Sequence, residues 1–136
     1  MIQHEERILS IAHDTLEREI AALRLLQTRL DDSFSSAVEA LHACSGRVIL
    51  TGMGKSGLVA RKIAATMTST GTPALFLHPA EAMHGDMGII QRGDVVVVLS
   101  YSGRTDETLV VAEYAHRNGN LVVAMEPAAH RILQNG

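Results

Sequence analysis

Four short apolar runs constrain this chain more than any other feature. They occupy residues 48–51, 74–77, 95–99 and 121–125, and helical periodicity or turn residues fill the intervals. The third run, Val95-Val96-Val97-Val98-Leu99, is continuously apolar and almost entirely β-branched. A strand buried on both faces of a parallel sheet has that character. Between the runs, residues 56–70 carry Val59, Ile63 and Met67 on one helical face, and residues 105–118 read as a helix closed by Gly119. Gly71-Thr72-Pro73 and Gln91-Arg92-Gly93-Asp94 are turns, residues 78–88 read as a loop, and residues 128–134 read as the start of a further helix behind Pro127. Short strands alternating with helices predict an α/β fold, a doubly wound parallel sheet with helices on both faces and right-handed crossovers.

A long helix precedes the alternating region. Over residues 3–30, Ile8, Ala12, Leu16, Ile20, Leu23, Leu26 and Leu30 advance by threes and fours along one face. Asp31-Asp32-Ser33 supplies cap residues that break it from a second helix over 34–44, with Phe34, Ala37, Val38 and Leu41. Ser45-Gly46 ends that helix, and Gly in this place tolerates the left-handed backbone of many helix C-termini. The stripe on the first helix needs a cover, either its own sheet or a second subunit, and a homo-oligomer, dimer or tetramer, is the expectation. Length predicts a single domain over 1–136, with N-terminal helices to residue 45 and an α/β core over 46–136.

Composition excludes several functions. The net charge of −3 gives no basic excess for nucleic acid, and an aromatic content of 3% argues against base stacking. Cys44 is the only cysteine, so neither a disulfide framework nor a cysteine-based zinc site is expected, and a reducing cytoplasm fits. The polar start His4-Glu5-Glu6 is unlike a signal peptide. No apolar run approaches the roughly 20 residues that span a bilayer.

In doubly wound sheets the ligand lies beyond the carboxyl ends of the strands. That selects the loops at 52–57, 78–88, 100–107 and 126–128. The first is Gly52-Met53-Gly54-Lys55-Ser56-Gly57, between a strand and a helix. Strand, glycine turn and helix point backbone N–H groups and a helix dipole at an anion. The spacing matches G-x-G-x-x-G, but the acid expected about 20 residues later to bind ribose is missing, with Leu77 and His78 in that region. Gly54-Lys55-Ser56 mimics the end of a P-loop, yet Ile49 stands where that motif requires glycine. A generic anion cradle with Lys55 beside it survives, against the plainer reading of a tight turn with Lys55 in solvent. In the third loop, Ser100, Ser102 and Thr105 cluster hydroxyls at a strand end and a helix start. One hydroxyl would serve as a cap, and three are suited to a phosphate. His78 and His84, with Asp86 nearby, make a two-histidine loop without a third well-spaced ligand, so no metal is expected.

Four segments together resemble the sugar isomerase (SIS) domain, and most of all the arabinose 5-phosphate isomerases of the KdsD/KpsF type. They are Gly52–Gly57, residues 64–73, the stretch His78-Pro79-Ala80-Glu81-Ala82-Met83-His84-Gly85-Asp86, and Ser100-Tyr101-Ser102-Gly103. The resemblance covers about residues 45–126. It implies a flavodoxin-like fold with five parallel strands, and a homo-oligomer with active sites near subunit contacts. It implies interconversion of ribulose 5-phosphate and arabinose 5-phosphate in Kdo, lipopolysaccharide or capsule precursor synthesis, with no cofactor. By position, Ser56, Ser100, Ser102 and Thr105 match phosphate-binding residues, Gly54 belongs to the same cradle, and Lys55, His84 and Glu107 match functional positions of the isomerase branch.

The chemistry is consistent with those residue types. Aldose–ketose isomerisation moves a proton between adjacent carbons through an enediol(ate), and needs a base at carbon, an acid/base at oxygen and positive charge at the developing oxyanion. Lys55 supplies charge. Glu107 either acts on the substrate or only stabilises its helix N-terminus. His84 either moves a proton or only braces its loop.

The chain also departs from the family pattern. Relative to its relatives it reads as truncated after the fourth strand, without the last strand and helices that carry a further Glu and His. Tyr101 and Arg104 stand where a small amide and a Glu are usual, and Glu126-Pro127-Ala128-Ala129 lacks the expected Gly and Ser. Two functions stay open: a phosphosugar isomerase, and a non-catalytic SIS module that binds a sugar phosphate for regulation.

Overall fold

The structure, a computed structural model, describes residues 1–101, 106–126 and 130–133, with Asp106 and the last four described by their backbone alone. The chain divides into two compact units, Met1–Asp32 and Ser33–Gly136. The first unit is essentially one helix, α1 (Ile2–Arg29), whose apolar stripe follows the predicted spacing and none of whose residues is buried. Among the described residues no helix is long and apolar enough to cross a membrane.

The second unit contains α2 (Asp32–His42), β1 (Val48–Gly52), α3 (Gly54–Ser69), β2 (Ala74–Phe76), α4 (Pro79–Met83), a 3-10 turn (Asp86–Ile89), β3 (Val95–Leu99), α5 (Asp106–Arg117), β4 (Leu121–Met125) and β5 (His130–Leu133). The sheet order is β2-β1-β3-β4-β5. β1 pairs in parallel with β2 and β3, and β3 with β4, whereas β5 runs antiparallel to β4. The helix predicted over 128–134 is therefore corrected: at 130–133 the backbone forms a strand that covers the β4 edge. Among the described residues, the five parallel strands implied by the resemblance become four parallel and one antiparallel.

Every residue of β1 and β3 is buried, as their unbroken apolar runs require. Alternate side chains enter two cores. On one face Ile49, Val96, Val98 and Val122 pack with Ala82 of α4 and Val111, Ala112 and Ala115 of α5. On the other, Val48, Leu50, Val95, Val97 and Val123 pack with Ala60 and Ala64 of α3 and with Ala37 and Leu41 of α2. Small residues at the α3 contact (Gly57, Ala60, Ala64) bring that helix close to the sheet. Of the three residues read on one face of this helix, Ile63 and Met67 pack against the core and Val59 is exposed.

The amino ends of the strands are tied by Asp94, which is 4% exposed. Its carboxylate accepts from the Arg47 N–H at 2.7 Å and the Gln91 N–H at 2.8 Å, and pairs with the Arg47 guanidinium at 3.2 Å. Asn120 donates to the Gln91 and Asp94 carbonyls at 2.8 and 3.0 Å, which adds β4 to the knot. Burial raises the Asp94 carboxyl, but the N–H donors and the guanidinium outweigh it and hold the group below its ordinary value. A Cβ on Gly46 would collide with this carboxylate and lie 2.8 Å from the Gly93 carbonyl carbon. Close approach, not the left-handed backbone expected from the sequence, explains that glycine, because its φ is not positive. Cys44 lies quietly alongside, with its Sγ 3.4 Å from the Gly93 carbonyl oxygen.

Candidate active site

The register places Gly52 beside Leu99 and Leu99 beside Met125, so the loops after β1, β3 and β4 emerge side by side at the carboxyl edge. Strand order reverses between β1 and β3, where ligands of doubly wound sheets bind.

The cradle is built by three glycines for two different reasons. Gly54 opens α3 with φ +56°, and nothing lies within 4 Å of where its Cβ would be. Its requirement is conformational. Gly52 and Gly57 are required by space. A Cβ on Gly52 would lie 2.9 Å from the Leu99 carbonyl oxygen, and one on Gly57 would lie 2.5 Å from the Gly52 carbonyl oxygen. The end of β1 and the first turn of α3 are therefore in backbone contact. Met53 at the N-cap of α3 makes no side-chain cap hydrogen bond, and the first turn carries Lys55 and no acid. Free leading N–H groups and the positive end of the helix dipole at this position are suited to an anion.

Met53, Lys55, Ser56, Val59, Leu99, Ser100 and Tyr101 line a cleft of about 690 Å³ at this point. The structure thus brings Lys55, Ser56 and Ser100 together, with Gly54 at the helix start. Ser100 is anchored through its backbone, its N–H donating to the Met125 carbonyl at 3.1 Å. Ser102 and Thr105 lie outside the described residues. Glu107, half-buried in the first turn of α5, and His84, exposed at the C-cap of α4, are not among the described lining residues.

The loop over 78–88 contains a helix that the sequence reading missed. His78 caps α4, its Nδ1 accepting from the Ala80 N–H at 3.1 Å, and Pro79 takes the first turn. Accepting through Nδ1 leaves the other ring nitrogen, Nε2, to carry the proton. The His78 ring meets Phe76 edge-on at 6.2 Å between centroids, and the Arg61 guanidinium lies 4.3 Å from the Phe76 centroid. Sequence reasoning also missed the apolar wall of Met53, Val59, Leu99 and Tyr101. Tyr101, 85% exposed beside the cradle, was visible only as a departure from the family pattern. Among the described residues no group of three or more His, Cys, Asp and Glu side chains is placed to hold a metal ion.

Fold and cleft define a doubly wound α/β domain with a glycine-rich loop and a cleft at the β1/β3 switch point. The SIS domain model matches residues 41–135, and the chain belongs to the SIS domain family. Arabinose 5-phosphate isomerase KdsD of Pseudomonas aeruginosa is 49% identical over 114 residues, covering 84% of this chain and 35% of that protein. A probable arabinose 5-phosphate isomerase of Haemophilus influenzae is 44% identical over 117 residues, covering 86% of this chain and 35% of its own length. The chain therefore spans about a third of the curated relatives it matches. An Escherichia coli CFT073 protein solved in complex with arabinose 5-phosphate superimposes with a TM-score of 0.67 at 42% identity, over 70% of this chain and 50% of that one.

Proposed function

We propose that the chain carries the phosphate-binding half of a phosphosugar aldose–ketose isomerase, interconverting ribulose 5-phosphate and arabinose 5-phosphate in the cytoplasm for Kdo, lipopolysaccharide or capsule precursors. The observation that carries this reading is the convergence of Lys55, Ser56 and Ser100 on one cleft at the switch point. The names and the bound sugar phosphate of the relatives support it.

In this reading the substrate phosphate sits on the N–H groups of α3, with Ser56 and Ser100 donating hydroxyl hydrogen bonds and Ser102 and Thr105 completing the cradle. Lys55 faces the reacting end. A base removes the proton α to the carbonyl, Lys55 stabilises the enediolate oxygen, and the proton returns to the neighbouring carbon while the hydroxyl proton moves between the oxygens. Glu107 and His84 are assigned to these transfers. No cofactor enters the balance. The apolar stripe of α1 is assigned to contact with further copies of the chain.

One observation favours the second reading, a sugar-phosphate-binding module: the described lining of the cleft contains no carboxylate and no histidine. Incubation with ribulose 5-phosphate, with arabinose 5-phosphate followed by a coupled assay, separates the two. Turnover is expected. Sugar-phosphate binding without turnover would overturn the isomerase in favour of the module.

A further inference from the structure

Behind Ser100, on the sheet face opposite α3, lies a second and much smaller pocket of about 70 Å³. Ser100, Thr108 and Glu126 supply its polar wall, and Val98, Leu109 and Ala112 part of its apolar wall. Thr108 is 2% exposed, and its Oγ1 has no hydrogen-bond partner among the described residues. Leaving a buried hydroxyl unpaired is costly. A pocket of this size exceeds what one water needs, and it offers the two or more polar partners that hold one. Glu126 follows β4 at the carboxyl edge, and Ser100 lines both this pocket and the cleft, where a carboxylate turned toward the cleft would repel a phosphate.

We propose that this pocket holds one bound water that accepts from the Thr108 hydroxyl and donates to the Glu126 carboxylate. The link ties the end of β4 to the first turn of α5. It also turns the Glu126 charge into the pocket behind Ser100 and away from the phosphate cradle. Its effect on anion affinity rests on the cradle reading above. The link itself does not.

The test is a double-mutant cycle on the full chain, read by thermal unfolding and by titration with inorganic phosphate. Thr108→Val removes the hydroxyl at nearly constant shape, Thr108→Ser preserves it, and Glu126→Gln removes the charge. Thr108→Val is expected to lower Tm by a few degrees, Thr108→Ser to stay near wild type, and Thr108→Val with Glu126→Gln to fall less than the sum of the single changes. Thr108→Val should also weaken phosphate binding several-fold, with Glu126→Gln restoring it in that background. A Thr108→Val protein as stable as wild type or more so, or strictly additive effects, would overturn the link. A coupled Tm cycle in a protein that binds no phosphate would leave the link standing and count against the cradle instead.

Discussion

Gly57 stands so close to Gly52 that a Cβ on Gly57 would lie 2.5 Å from the Gly52 carbonyl oxygen. This contact holds the first turn of α3 against the end of β1 and aims its N–H groups into the crevice. Gly57→Ala gains about 1 kcal/mol of helix propensity. It must also push two backbones apart, and overpacking costs roughly 1–3 kcal/mol. The expected result is a net loss of stability together with weakened phosphate binding, measured by urea unfolding and phosphate titration.

Gly54→Ala makes a contrasting case. No atom lies within 4 Å of the new methyl, so the whole penalty comes from holding φ at +56°. That cost is roughly 1–2 kcal/mol. Gly54→Asn should recover part of it, because Asn tolerates the left-handed region better than Ala, and urea midpoints of the two variants should rank in that order.

At the opposite end of the sheet, Asp94 sets the acid limit of stability. Its folded pKa lies below the ordinary 3.8, so the deprotonated form is the one that folding favours. Its contribution is complete above that unfolded value and is lost as the pH falls through the folded one. Unfolding free energy should therefore decline below about pH 4. In Asp94→Ala that part of the decline should disappear, with stability at pH 7 lower by about 2–3 kcal/mol. Urea midpoints across pH 2.5–7, a range set by those carboxylate values, check both statements.

Thr51, on β1 just before the cradle, is fully buried with its Oγ1 unpartnered. Thr51→Val keeps the branched shape and removes an unpaired hydroxyl. It is expected to stabilise the chain by about 1 kcal/mol, seen as a higher urea midpoint at unchanged slope.

Much of this architecture is legible in the sequence for a physical reason. Runs such as 95–99 are apolar because both faces of β3 are buried, and turn residues mark their ends. α4 was missed because five residues give no helical period, although His78-Pro79 is a cap followed by an N1 proline. β5 was missed because its strand state comes from pairing with β4, which a local pattern does not contain. At the cleft, the glycine turn and the convergence of Lys55, Ser56 and Ser100 were legible from motif chemistry. Val59 and Met53 were not, because apolar residues lining a cleft look the same in sequence as apolar residues filling a core.

The central claim is that a sugar phosphate occupies the crevice between β1 and β3. The most direct measurement is an amide NMR titration of the chain with arabinose 5-phosphate, repeated on Ser56→Ala. Saturable shifts are expected to concentrate at residues 53–57 and 99–101, with affinity roughly 10- to 100-fold weaker in Ser56→Ala, as for loss of a hydrogen bond to a charged group. Shifts centred on the Asp94 end of the sheet, or a Ser56→Ala protein that binds as tightly as wild type, would contradict it.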